Sequence, residues 1–66
     1  MSAEASPAFG DVIRDARKAK GWSQIELGER AGVSRPTIAR IEAKHDVTTA
    51  TIAKVAQALG LKLELK

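Results

Sequence analysis

The chain holds 66 residues, 44% of them hydrophobic and 29% charged, with a formal net charge of +3 and no cysteine. That length fits one small domain, the composition excludes a disordered tail, and the missing thiols exclude disulfide staples and thiolate zinc sites. The mildly basic balance is compatible with nucleic acid without demonstrating it, and no apolar run approaches the length of a membrane span.

Residues 1–5 are small and polar and are read as a flexible N-terminus. Ser6 and Pro7 predict an N-cap and the first position of helix one. Phe9, Ile13, Ala16, Arg17 and Lys20 recur at helical spacing and form its expected inner face, and Gly21 is its expected stop. In WSQIELGERAG, Ser23 and Glu26 have capping-box spacing, with Trp22 and Leu27 placed for a hydrophobic staple. This second helix ends at Gly32. Ser34 caps a third, with Pro36 in its first turn, where proline is tolerated. Two helices joined around a glycine predict a helix-turn-helix. In HDVTTATIAKVAQALG, Thr48 is the cap of helix four, Ile52, Val55, Ala56 and Leu59 its buried stripe, and Gly60 its stop. LKLELK alternates as a strand does, although the spacing of Leu61 and Leu65 also allows a helix.

Turning each residue of the third helix by about 100° separates two sides. Ser34, Ile38, Ile41, Glu42 and His45 fall inward. Pro36, Ala39, Arg40 and Ala43 fall outward, with Thr37 and Lys44 on one flank and Arg35 near the start. Small residues let a helix approach a surface closely, and arginine reaches past them with a planar donor fork. That combination suits a DNA major groove, about 12 Å wide, with arginine paired to guanine O6 and N7. Gln24, at the start of the second helix, stands where amides and helix-end N–H groups meet a phosphate.

Across residues 9–60, and most clearly in GWSQIELGERAGVSRPTIARIE, the sequence resembles the lambda-repressor and Cro-type family of helix-turn-helix proteins, also called the XRE family. The resemblance implies an all-α, compact four-helix domain spanning residues 6–60 whose third helix reads double-stranded DNA. It implies phosphate contact by Gln24, base contact by Arg35, Pro36 and Arg40, and backbone contact by Ser34, Thr37 and Lys44. Pro36 departs from the pattern because it cannot donate a hydrogen bond and offers only apolar contact. Gly28 stands where alanine is usual, and is expected to weaken helix two slightly.

Arg17 lies on the apolar side of helix one and Glu42 on the inward side of helix three. A charge on a buried face needs a partner, so these two are expected to pair, and the resemblance implies the same bridge.

A strand of six residues has nothing to pair with in its own chain. Residues 61–66 are therefore expected to form a dimerisation strand with a second copy. In an antiparallel ribbon centred on Leu63, Lys62 faces Glu64 of the other copy and Leu61 faces Leu65, whereas other registers oppose like charges. Such a dimer presents two recognition helices to a palindromic operator about one DNA turn apart. This ending, with GWSQ and the TT before helix four, resembles HipB- and HigA-type antitoxins, which implies autoregulation and a protein toxin as partner. A stand-alone phage-type or restriction-modification controller-type repressor, or an interaction module that has lost DNA binding, stand as alternatives.

No enzyme is expected. The single histidine, His45, has no ligand spacing around it, and Asp11 and Asp15 read as surface charges beside Arg14 and Lys18. No cofactor, metal or membrane partner is expected. The opening MSAEASPAFG lacks the pattern of a secretion signal, which makes the cytoplasm and its nucleoid the expected location.

Overall fold

A computed structural model describes residues 8–61. They form four helices: α1 (Ala8–Ala19), α2 (Gln24–Ala31), α3 (Arg35–Glu42) and α4 (Thr49–Ala58). The expected Ser6 cap, Pro7, and residues Lys62, Leu63, Glu64, Leu65 and Lys66 of the expected strand lie outside the described residues. Among the described ones there is no strand, and no helix is long and apolar enough to cross a membrane.

Three of the helices start on a hydroxyl cap. Ser23, Ser34 and Thr48 each have extended backbone and accept the N–H three residues on, at 3.0, 3.3 and 3.1 Å. Each hydroxyl thereby satisfies one of the orphan donors at its helix start. The capping box at Ser23 is only half formed, because the Glu26 carboxylate turns forward to Arg30 Nε at 2.7 Å. Gly21, Gly32 and Gly60 all take the left-handed conformation that ends a helix.

Ile13, Leu27, Ile38, Ile41, Val55 and Leu59 make the core, so every helix contributes to it. Trp22, Val33, Ile52 and Leu61 pack on its edges. Phe9 departs from the predicted inner face and is 40% exposed, since it stands at the N-terminal end of α1, beyond the centre of the core. α3 is held from two sides, by α1 and by α2, while α4 packs on α2.

Two glycines set these distances. A Cβ on Gly10 would lie 2.6 Å from the Ile41 carbonyl oxygen, so α1 can approach the end of α3 closely only without a side chain there. A Cβ on Gly28 would lie 2.7 Å from the Val33 carbonyl oxygen. The expectation that Gly28 is a mere weakness of α2 is thus corrected. Its bare α-carbon is what lets the chain turn back tightly enough to start α3, with Val33 N–H bonded to the Gly28 carbonyl at 2.9 Å.

Candidate nucleic-acid interface

The turn between α2 and α3 consists of Gly32, Val33 and Ser34. It sets α2 across α3, so that Gln24 at the start of α2 meets side chains from both the first and the last residue of α3. Gln24 Oε1 accepts from Arg35 Nη1 at 3.0 Å, and Gln24 Nε2 donates to Glu42 Oε1 at 3.2 Å. Behind them Arg17 grips Glu42 as a fork, with Nε to Oε2 at 2.7 Å and Nη2 to Oε1 at 3.0 Å. Its remaining nitrogen, Nη1, donates to the Trp22 carbonyl at 2.9 Å. The side chains of Arg17 and Glu42 are 11% and 7% exposed, so water reaches little of the pair. The carboxylate holds the Arg17 proton more firmly than usual, chiefly through that hydrogen bond, with burial opposing it.

On the outer side, Pro36, Arg40 and Ala43 are exposed and Ala39 is half-buried, while Ile38 and Ile41 are sealed beneath. Arg35 is exposed too. Among the described residues neither Arg35 nor Arg40 has a carboxylate within salt-bridge distance. Glu42, the one acid of α3, is spent internally on Arg17. The solvent side of this helix therefore presents positive charge alone.

Ser34 and Thr37 share a hydroxyl hydrogen bond of 2.9 Å in addition to the cap. Two hydroxyls carry two protons and this bond uses one, so the other can be donated outward. Lys44, just beyond α3, has a left-handed backbone (φ 68) and its ammonium lies 3.4 Å from Asp11. Of the seven residues singled out for DNA contact, Ser34, Arg35, Pro36, Arg40 and Lys44 are exposed and Gln24 and Thr37 half-buried.

Two positions of the predicted inner face are corrected. Ser34 is exposed because, as a cap, its backbone is extended and does not follow the helical turn. His45 is exposed because α3 ends at Glu42 and the chain swings away at Lys44. Sequence reasoning missed that Gln24 is engaged on both sides, and it missed the role of Gly10. A glycine inside an otherwise regular helical pattern was the available signal for the latter.

The description of a helix-turn-helix family matches residues 13–66. The chain belongs to that family. Antitoxin HipB of Escherichia coli (strain K12) is 38% identical over 58 residues, which cover 86% of this chain and 66% of HipB. The chain thus spans just under two thirds of that relative. The uncharacterized HTH-type transcriptional regulator YgzD of Bacillus subtilis (strain 168) is 38% identical over 53 residues, covering 79% of this chain and 80% of YgzD. Among solved structures, a chain of the HipA-HipB-O2-O3 complex superposes with a TM-score of 0.82 at 29% identity, covering all of this chain and 96% of its own. By family and fold this chain is a helix-turn-helix domain.

Proposed function

We propose that the chain is a sequence-specific repressor that reads double-stranded DNA in the major groove with the outer side of α3. The observation that carries this reading is the bare positive ridge, in which small residues flank Arg40 while the helix's only acid is turned inward. Arg35 and Arg40 address base edges, and Pro36 offers apolar contact to a thymine methyl. Ser34, Thr37, Lys44 and the spare N–H of Gln24 meet phosphates, next to the N–H groups that open α2.

The functional unit is a homodimer on a palindromic operator. Leu61, Lys62, Leu63, Glu64 and Leu65 join two copies, and residues 6–60 form the reading domain. A core this small supports the need for a second copy. Leu63→Asp is expected to convert a sedimenting dimer to a monomer. A parent chain that already runs as a monomer at high concentration would remove the ribbon.

The antitoxin role deepens this reading. Its support is the 38% identity to HipB, together with the likeness to a chain of a complex that also contains HipA. The chain then represses its own operon in the cytoplasm and binds a toxin encoded beside it. Co-expression with the product of the adjoining gene tests this, since an antitoxin forms a stable complex with it.

For DNA reading the test is a titration against a palindromic duplex selected from a randomised pool. Binding should weaken as salt rises, and Arg40→Ala should cost about 1–3 kcal/mol and relax one base position. If no duplex is preferred even at low salt, the fold serves protein interaction instead.

A further inference from the structure

Gln24 stands between two groups of opposite kind. The Glu42 carboxylate can only accept hydrogen bonds and the Arg35 guanidinium can only donate them. An amide between them has one satisfactory direction, with Nε2 toward Glu42 at 3.2 Å and Oε1 toward Arg35 at 3.0 Å. Turned by half a rotation, it would set its carbonyl oxygen against the carboxylate and its NH2 group against the guanidinium. Two bonds would become two repulsions. The carboxylate that decides this is itself immobilised, because Arg17 holds both of its oxygens and is tied in turn to the Trp22 carbonyl. A continuous row of hydrogen bonds therefore runs from the buried side of α1 to an exposed side chain at the start of α3.

Resting on the DNA reading above, we propose that Glu42 is a positioning residue for base recognition. Its carboxylate sets the direction of the Gln24 amide, and the amide holds the Arg35 guanidinium in place for a guanine. Arg35 spends one nitrogen, Nη1, on Gln24 and keeps its other N–H groups for the base. Arg40 receives no bond of this kind among the described residues, which makes it an internal control. The two arginines thus differ in kind: one is pre-set by the scaffold and the other is adjustable.

The test uses the full chain and a duplex that it selects from a randomised pool. Arg35→Ala and Arg40→Ala first identify the base pair each arginine discriminates. Glu42→Gln is then the informative variant, because one oxygen must replace two while three N–H groups still seek an acceptor. It should lower discrimination at the Arg35 base pair by about threefold to tenfold and leave the Arg40 base pair alone. In a Gln24→Ala background the same substitution should add no further loss at that base pair. Undiminished discrimination would overturn the proposal. So would equal loss at both base pairs, which is what a merely loosened domain gives. A parent chain that prefers no duplex would refute the DNA reading itself, a distinct result. Should Glu42→Gln not fold, the parent decides the matter by NMR. The Gln24 Nε2 protons should show cross-peaks to the Glu42 side chain, and cross-peaks to Arg35 in their place would overturn the assignment.

Discussion

Arg40 and Glu42 stand two residues apart on α3 and face opposite surroundings. The first is exposed and without a carboxylate partner among the described residues, whereas the second is 7% exposed at its side chain and clasped by Arg17. This division lets a helix of eight residues carry both a charged outer side and a sealed inner one.

The inner pairing predicts a definite asymmetry. Arg17→Met strands a nearly buried carboxylate and should cost on the order of 3 kcal/mol in urea unfolding. Replacing both partners, Arg17→Met with Glu42→Leu, should restore much of that loss, since two apolar groups need no desolvation. Equal stability of the single and double variants would contradict this account. Trp22, the chain's one tryptophan, lies beneath Arg30 at 4.4 Å and Lys20 at 5.3 Å and supplies the fluorescence signal.

Gly28→Ala sets two effects against each other. Helix propensity favours alanine by about 1 kcal/mol. The new methyl, however, meets the Val33 carbonyl at 2.7 Å, and a backbone oxygen in a tight turn cannot step aside as a side chain does. Overpacking of this kind costs about 1–3 kcal/mol, so the variant should melt below the parent. A raised Tm would show that the turn yields easily.

The caps of α3 and α4 are built alike, each with a hydroxyl pair at 2.9 Å. Ser34→Ala and Thr48→Ala should therefore lower stability similarly, by about 1 kcal/mol each. Only Ser34→Ala should also weaken DNA binding beyond its effect on folding, because Ser34 adjoins Arg35 at the start of α3 whereas Thr48 is none of the residues proposed to meet DNA. Equal binding by the two variants would argue against a phosphate contact at Ser34.

Lys44 is restrained by Asp11, and both side chains are well exposed (46% and 44%), so the bond adds little to stability. Asp11→Asn should leave the Tm nearly unchanged and tighten binding to an unselected duplex at low salt. Lys44→Ala should reduce the slope of affinity against salt by about 1. Unchanged affinity in Asp11→Asn together with an unaltered slope in Lys44→Ala would remove Lys44 from the interface.

The helices were legible because their punctuation is local. Ser23, Ser34 and Thr48 sit where a cap must, and Gly21, Gly32 and Gly60 where a helix must stop. The helical projection of α3 placed Ile38, Ile41 and Glu42 on its inner side, where they are found, and failed only at Ser34 and His45. Those two lie outside the helix, where a turn of 100° per residue no longer applies. Gly28 was misread because propensity concerns one helix, whereas its constraint comes from the segment folding back over it. The engagement of Gln24 was illegible for a related reason, since both its partners are distant in sequence and meet it only once α2 lies across α3.

The hydrogen-bonded tether on Arg35 bears on how such a regulator can change its target. On the proposed reading, exchanging Arg40 for another side chain touches no side-chain bond among the described residues and should shift preference in a single step. Exchanging Arg35 releases a neighbour whose orientation is set from beneath, so new specificity there asks for coordinated change at Gln24 as well. Divergence among duplicated copies should begin at the untethered position, and engineers seeking altered operators have the same starting point.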